Sequence, residues 1–309
     1  MRNTLVAVAV VAALFATSCK KKEKTTPPPP EIAVRLVEPG EMPRQPLAYA
    51  IPADTALKSL LTIQDIRIES QEYEDAEDAF GVLPGMKLLL HAGPTLALPN
   101  GTRYVLRISK AESILPEGLT SQQIAEARQG IQALHGMRGR FDLNRQGIVV
   151  DSDVPWSEGQ EMIHPRIAIT IGNVRSAIAT IPLPLEPVGI GAVWEVKRQL
   201  RIWSANVTQV ARYELEEREG DRFRVAITIH QTAPPQTADL NPELEMHVRG
   251  YELHATGHAL ADLGLPLALE ADLESSSAAD IALVSPEATE PLMSTRRSAV
   301  QMKSKVEER

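Results

Sequence analysis

The residues best suited to chemistry in this chain are histidines and a carboxylate at even spacing near residue 250. Glu252, His254 and His258 share one phase of an extended segment, so their side chains would lie on the same face of a strand. Imidazole and carboxylate are common ligands of zinc and related metals. His230 and His247 come from neighbouring segments and could add further imidazoles.

The opposite phase of the same segment is apolar. It contains Tyr251, Leu253, Ala255 and Ala259, which would face a core and leave the histidines on the polar side of the strand. A solvent-exposed polar surface is therefore the preferred interpretation, and no metal site is predicted. Zinc binding that depends on His254 and His258 remains the alternative hypothesis.

A second constellation resembles a calcium-binding loop. Asp142, Asn144, Gln146, Gly147 and Asp153 occupy positions 1, 3, 5, 6 and 12 of an EF-hand-like pattern. Position 12 is an aspartate, however, where the pattern requires the longer, bidentate glutamate. We therefore predict a hairpin turn closed by Gly147 in place of a calcium site.

Signatures of catalysis are missing from the sequence. It contains no nucleophile elbow, zinc-protease helix, paired-cysteine motif, phosphate loop or dinucleotide fingerprint. Asp151 and Asp153 could form the carboxylate pair of a glycosidase, but Asp153 is better placed to cap a helix and the chain has only three tryptophans to stack on sugars. We predict no enzyme activity, no catalytic residue and no cofactor.

The amino-acid composition limits the remaining classes of protein. The 309 residues are 43% hydrophobic and 23% charged, which is typical of a globular protein. The 40 acidic residues outnumber the 32 basic ones and no basic domain is present, so nucleic-acid binding is not expected. The single cysteine, Cys19, excludes a disulfide framework.

Cys19 follows a segment typical of an export signal. Arg2 precedes an apolar run over residues 5–16, and the small residues Thr17 and Ser18 come directly before the cysteine. The run is too short to span a bilayer, for which about 18 apolar residues are needed. Residues 1–18 are therefore predicted to be a signal peptide.

The sequence Ala16-Thr17-Ser18-Cys19 resembles the lipobox of bacterial lipoproteins, although that family prefers Leu at the first position. The resemblance implies that Cys19 becomes the first residue of the mature chain, carries diacylglycerol and an acyl group such as palmitate, and anchors the protein to a membrane. Residues 19–31 are rich in lysine and proline and would form a stiff tether beside anionic head groups.

Lys20, the residue after the predicted anchor, gives an indication of the membrane to which the protein is sorted. In the sorting rule of enterobacterial lipoproteins an aspartate after the cysteine is the signal for inner-membrane retention, and this chain has Lys20 instead. The resemblance therefore implies a cell-envelope protein in the outer membrane, facing the periplasm or the surface.

Apolar and polar residues alternate with a period of two along most of the chain from Ile32 onward. This pattern predicts antiparallel strands with one solvent-exposed face. The expected fold is α+β, with one large curved antiparallel sheet that forms a half-barrel. The clearest strands are predicted at 194–202, 207–215, 222–230 and 265–273.

Two segments have helical spacing and are expected to pack on the concave face of the sheet. The shorter covers about 121–135 and closes at Gly136. The longer covers about 155–181, begins near Pro155 and ends at Pro182. Its apolar stripe consists of Ile163, Ile167, Ile171, Val174, Ile178 and Ile181.

An internal sequence similarity suggests a duplicated β unit. The segment 101–108 aligns with 220–227, and Phe141-Asp142-Leu143 aligns with Tyr251-Glu252-Leu253, with Gly147 matched to Gly257. A chance similarity between β-hairpins is the alternative. The domain is predicted over 32–284, with halves 32–182 and 183–284, followed by an edge strand or a tail over 285–309.

Two further resemblances concern architecture. The expected half-barrel, with the turn at Asp262-Leu263-Gly264-Leu265-Pro266, is similar to the periplasmic lipoprotein-carrier and lipoprotein-receptor fold. The stretch from Pro182 to Trp194 resembles a proline-rich motif of uncharacterised envelope lipoproteins of gliding and predatory bacteria. Neither resemblance carries a specific functional motif.

Two functions are compatible with these features. In the first, an apolar small molecule or a lipid binds between sheet and helix. In the second, the core is fully packed and the protein is a structural scaffold that binds another envelope protein of unspecified identity. The residues expected to line the cavity are Trp194, Val196, Phe223, Val225 and Ile227 on the sheet, and Ile163, Ile167, Ile171 and Ile178 on the helix.

Overall fold

The computed structural model describes residues 32–52, 55–71, 85–115, 117, 120–132, 134–153, 180–202, 205–241, 244–284 and 292–308. Thirteen strands in this part of the chain form one sheet, and one helix packs on it. The predictions for the signal peptide, Cys19, the tether and most of the longer helix lie outside these residues.

The first six strands are β1 (Ile32–Glu38), β2 (Leu57–Gln71), β3 (Gly85–Leu98), β4 (Gly101–Ile114), β5 (Arg138–Asn144) and β6 (Val149–Asp153), with α1 (Ser121–Gln132) between β4 and β5. The remaining strands are β7 (Val193–Ile202), β8 (Ala205–Glu219), β9 (Arg222–Ala233), β10 (Gln236–Asn241), β11 (Leu244–Asp262), β12 (Glu270–Val284) and β13 (Leu292–Glu308).

The strand order is β1-β7-β8-β9-β11-β12-β13-β2-β3-β4-β5-β6, and β10 lies off this path and pairs with one end of β11. Neighbouring strands in this order run antiparallel. The sheet is open across the described strands, with β1 and β6 at its edges. The prediction of one large antiparallel sheet is therefore confirmed.

Alternation along the strands separates a buried face from an exposed face. In β9, Phe223, Val225 and Ile227 are buried, whereas Arg222 and Thr228 are exposed. We call the side that carries Phe223 the buried face and the opposite side the exposed face. The period-two pattern correctly identified both faces of this strand.

One predicted strand begins later than expected. Leu265 and Leu267 are buried but lie in the connection before β12, which starts at Glu270. The side chain of Asp262 accepts a hydrogen bond from the backbone N–H of Gly264, and Pro266 has no N–H for a ladder. The apolar alternation here reflects a turn folded onto the core.

The C-terminal segment is an interior strand, and the prediction of an edge strand or a tail is wrong. β13 pairs with β12 on one side and with β2 on the other. Val300 and Met302 on β13 are buried. The end of the chain therefore joins its early strands to its late strands in one sheet.

The shorter helix is confirmed as α1, whose end leads to Gly136 at φ 81°. Ile131 and Leu134 belong to the same core cluster as Tyr104 and Leu106 of β4, so the helical segment covers the buried face. Of the longer predicted helix, residues 154–179 lie outside the described part. Thr180 is described and is not helical.

Ile181, the last residue of the predicted longer helix, is also non-helical. Its carbonyl accepts a hydrogen bond from the hydroxyl of Tyr49, so the peptide is fixed by a contact far away in sequence. The two prolines that follow, Pro182 and Pro184, favour an extended backbone.

The first pair of segments matched by the internal similarity lies in β4 and at the start of β9, whereas the second pair does not occupy equivalent positions in the sheet. Arg103 of β4 pairs with Asp142 of β5, and Arg222 of β9 pairs with Asp262 of β11 at the corresponding place. The equivalent of Phe141-Asp142-Leu143 is therefore Ala261-Asp262-Leu263 and not Tyr251-Glu252-Leu253. The expected match of Gly257 to the Gly147 turn is also wrong, since Gly257 lies inside β11 against β12.

The sheet bends back on itself at one end. β7 is second and β5 is eleventh in the strand order, and at about 4.8 Å per strand a flat sheet would hold them roughly 40 Å apart. Instead, the indole N–H of Trp194 on β7 donates to the carbonyl of Pro182 at 2.7 Å. The next residue, Leu183, donates its N–H to the carbonyl of Gln146 in the turn after β5 at 2.8 Å.

Candidate functional site

The five sheet residues predicted to line a ligand cavity lie together on the buried face. They are between 0% and 7% exposed and belong to one core cluster: Trp194, Val196, Phe223, Val225 and Ile227. The four helix residues predicted to cover them, Ile163, Ile167, Ile171 and Ile178, lie outside the described part of the chain, as does the predicted lipidation site Cys19.

Trp194 is held by contacts on two sides. Its indole stacks on the ring of Tyr213 with centroids 5.7 Å apart and planes at 17°, and its N–H is satisfied by Pro182. Residues 181–183 of the chain thus lie against this end of the buried face, and Leu183 is itself fully buried. This region is dense hydrophobic core.

The middle of the buried face is polar. Arg198 donates to the side-chain oxygen of Gln209 at 3.2 Å, and the amide N–H of Gln231 donates to the same oxygen at 2.7 Å. The hydroxyl of Tyr251 donates to the side-chain oxygen of Gln231 at 2.9 Å. These four residues, on β7, β8, β9 and β11, form a polar ladder that crosses four adjacent strands.

Burial fixes the hydrogen-bonding roles in the polar ladder. Gln209 and Gln231 are only 2% and 5% exposed, so each amide depends on its partners within the protein. Burial also raises the pKa of Tyr251 to about 12, which keeps the phenol protonated and able to donate. The ladder is therefore a fixed pattern of donors and acceptors at neutral pH.

The polar ladder divides two apolar regions of the same face. On β8, Tyr213 belongs to the large core cluster and Val207 to a second cluster, with Gln209 between them in the same phase. The second cluster contains Ala205, Val207, Ala233, Ala238, Met246, Val248, Ala279 and Ile281. Several neighbours of the ladder are only half-buried, namely Ile229, Leu253, Ser275 and Ser277.

The exposed face of the same strands carries the histidines. His230 on β9 pairs directly with His254 on β11, and their rings stack with centroids 4.5 Å apart and planes at 12°. The Oε1 atom of Glu252 lies 3.0 Å from His230 Nε2 and 2.8 Å from His254 Nε2. Because an ionised carboxylate only accepts, both imidazoles donate from Nε2.

This grouping differs from the one considered in the sequence. Glu252 and His254 come together as their common phase indicated, but the third member is His230 and not His258. His258 forms a separate pair with Glu216, whose Oε2 lies 3.0 Å from His258 Nδ1. Hydrogen bonds from His230 and His254 lower the pKa of Glu252, so this carboxylate is ionised at neutral pH.

The calcium-like loop is a hairpin turn. The Asn144 side chain accepts hydrogen bonds from the N–H groups of Gln146 and Ile148, and Gly147 takes a φ of 76°. A side chain at Gly147 would meet the ring of Tyr49, so a glycine is required there for two reasons. The predicted turn is confirmed for this segment.

Asp142, at the first position of that pattern, forms an ion pair within the sheet. Both of its oxygens accept hydrogen bonds from the guanidinium of Arg103, each at 2.7 Å. This fork-like pair lowers the pKa of Asp142 and raises that of Arg103. The carboxylate therefore links β5 to β4.

Among the described residues, no helix combines the length and the apolar character needed to cross a bilayer. Comparison of the chain with models of protein families finds no match, and comparison with curated proteins finds no significant match.

Proposed function

We propose that this chain is a non-enzymatic, lipid-anchored protein of the cell envelope that binds an apolar small molecule or a lipid on the buried face of its sheet. The observation that carries the proposal is the middle of that face, where half-buried apolar side chains lie beside the polar ladder. Such a combination of apolar surface and a few fixed polar groups is typical of small-molecule sites.

The orientation of the ligand follows from this arrangement. Its apolar part would contact Ile229 and Leu253, whose side chains lie on the buried face and remain half-buried. A polar group on the ligand would meet the hydrogen-bonding atoms of Gln231 and Tyr251 on the same strands. The proposed ligand is therefore amphiphilic, such as a fatty acid.

Three finer features complete this proposal. The sheet would be a half-barrel that arose from a duplicated β unit, and residues within 155–179 would form the second helix over the concave face. The anchor would be the acylated Cys19, with the lysine-rich and proline-rich tether holding the body close to the outer membrane.

The scaffold alternative has a specific observation in its favour. Trp194, Phe223 and Val225 have at most 1% of their surface exposed, and a side chain that lined a cavity larger than a water molecule would retain accessible surface. If the half-buried region is closed in the same manner, the sheet is a rigid body that presents its outer surface to another envelope protein.

Native mass spectrometry can separate the two functions. The chain with Cys19→Ser would be stripped of lipid by organic extraction, refolded and mixed with palmitate. Ligand binding predicts a mass increase of one palmitate, which Ile229→Trp would abolish by filling the buried face. Thr228→Trp places the same ring on the exposed face of the same strand and should leave the mass increase intact.

The scaffold function predicts another result. The Cys19→Ser chain without a further substitution would then show no palmitate adduct after extraction, and no lipid would be found on its preparations purified without extraction. An adduct that survives Ile229→Trp as well as it survives Thr228→Trp would also rule out the proposed site.

A further inference from the structure

We propose that His230, Glu252 and His254 form a binding site for a divalent transition-metal ion on the exposed face of the sheet, with Zn²⁺ as the best match. The site is separate from the buried face and does not depend on the ligand proposed for it. It uses two imidazoles and one carboxylate, which is a donor set common among zinc sites that keep a position open for water.

The geometry of the three side chains supports this assignment. Their ligand atoms all lie within 4.8 Å of one another, and the carboxylate oxygen is already 3.0 Å and 2.8 Å from the two imidazole nitrogens. In a tetrahedron with bonds of about 2.0–2.1 Å, neighbouring ligand atoms are about 3.3 Å apart. The two imidazoles would have to tilt out of their parallel stack, since a metal ion lies in the plane of each ring that binds it.

The backbone holds the two histidines in register. His230 and His254 are direct partners in the ladder between β9 and β11. β9 is also paired with β8, and β11 with β12, so neither strand lies at an edge of the sheet. Part of the entropy cost of assembling the ligands is therefore met by the fold, as in any preorganised site.

The surroundings leave room for a cation. The residues directly across from the histidines on the flanking strands are Val210 and Ser276, neither of which carries a charge. The side chains of His230, Glu252 and His254 are 45%, 55% and 58% exposed, so water can complete the coordination. With neutral imidazoles the three groups carry a net charge of about −1, which attracts a metal ion.

The donor chemistry selects the class of metal. Calcium and magnesium prefer sites made entirely of oxygen ligands. Two imidazole nitrogens favour zinc, copper or nickel over these harder ions. The metal would take the place of the two Nε2 protons that now point at Glu252. A neutral imidazole keeps its proton on Nδ1 when the metal binds at Nε2, whereas an imidazolium releases one proton.

The chain contains its own control for this site. His258 lies on the same face of β11 and has a single carboxylate partner, Glu216. Asp272 lies directly across from it on β12, so His258 offers one imidazole beside carboxylates, whereas the proposed site offers a second imidazole. A bound metal should depend on His254 and be indifferent to His258.

Isothermal titration of the purified chain with ZnCl₂ tests the proposal. We expect one site per chain at pH 7.4, a loss of affinity of about tenfold or more in His254→Ala and in His230→Ala, and no change in His258→Ala. Circular dichroism should show the same fold for all four proteins.

Two results would overturn the proposal. One is the absence of saturable zinc binding to the wild type at pH 7.4, and the other is an equal loss of affinity in His254→Ala and His258→Ala. Neither result would affect palmitate binding, so failure of the metal site and failure of the proposed ligand site can be told apart.

Discussion

The two faces of β9 and β11 use adjacent residues in opposite ways. Gln231 and Tyr251 form part of the polar ladder on the buried face, while His230 and Glu252, one position away along each strand, meet on the exposed face. The hydrogen bonds have similar lengths, 2.9 Å and 3.0 Å. The two bonds differ in burial, and also in charge, because Glu252 is ionised whereas the phenol and the amide are neutral.

That difference determines what each group can do. A buried amide that loses its partner has no water to replace it, so the polar ladder is needed for stability. The exposed imidazoles can exchange a carboxylate for water or for a metal at little cost. We therefore expect substitutions on the buried face to change stability and substitutions at the histidines to change binding alone.

The largest effect is expected for Trp194→Ala. It removes a fully buried indole, its stacking on Tyr213 and its hydrogen bond to Pro182. The free energy of unfolding should fall by about 3–5 kcal/mol, measured by urea denaturation. A loss below about 1 kcal/mol would mean that this end of the buried face is loosely packed and could admit a ligand.

The next largest effect is expected for Gln231→Leu. The substitution leaves the hydroxyl of Tyr251 without its partner inside the protein, and it leaves Arg198 as the donor to the side-chain oxygen of Gln209. It should cost about 2–3 kcal/mol of unfolding free energy. Thr232→Val changes the next residue, on the exposed face, and should alter stability by less than about 0.5 kcal/mol. Equal effects of the two substitutions would contradict the comparison of the faces.

Asp142→Asn tests whether burial, and not the face itself, governs stability. Asp142 lies on the same face as the histidines, yet its side chain is only 7% exposed and is paired with Arg103. We expect a loss of about 1–2 kcal/mol at pH 7. Asp151→Asn is the control, because its pair with Arg140 is largely exposed and should contribute little.

The pH dependence of that loss has a defined sign. The pKa of Asp142 is lower in the folded protein than in the unfolded chain, where it is about 3.9. The stabilisation is therefore complete above about pH 4 and disappears as the pH falls through the folded-state pKa. The stability difference between wild type and Asp142→Asn should shrink in urea titrations near pH 3; a constant difference would exclude this carboxylate as its source.

The smallest effect on stability is expected for Glu252→Gln. This carboxylate is exposed, and water can satisfy the imidazoles that now donate to it. The thermal midpoint without metal should be unchanged within error at pH 7, as followed by circular dichroism. A clear drop would mean that the histidine group is a structural element of the sheet.

Local sequence patterns predicted the strands, their faces and α1, because alternation and helical spacing depend on neighbouring residues. They also placed Glu252 and His254 on one exposed face. They could not identify His230 as the third member. Its position opposite His254 depends on the pairing of β9 with β11 across the inserted strand β10, and such a register is a property of the folded sheet.

Two predictions were wrong for a similar reason: the alignment of the second repeat block, and the position of the C-terminal segment at an edge of the sheet. Aligning Phe141 with Tyr251 relied on residue types alone, whereas the ladder places Ala261 opposite Phe223 at the position equivalent to Phe141 opposite Tyr104. Likewise, the alternation around Val300 and Met302 predicts a strand but does not predict which strands pair with it. Contacts between distant segments decided both outcomes.

The most direct test of the contrast between the two faces is thermal unfolding of three proteins with and without ZnCl₂. Gln231→Leu should have a lower midpoint than wild type but keep the upward shift that zinc produces. His254→Ala should have the wild-type midpoint and lose the zinc shift. A zinc shift that persists in His254→Ala, or a Gln231→Leu protein as stable as wild type, would contradict the account.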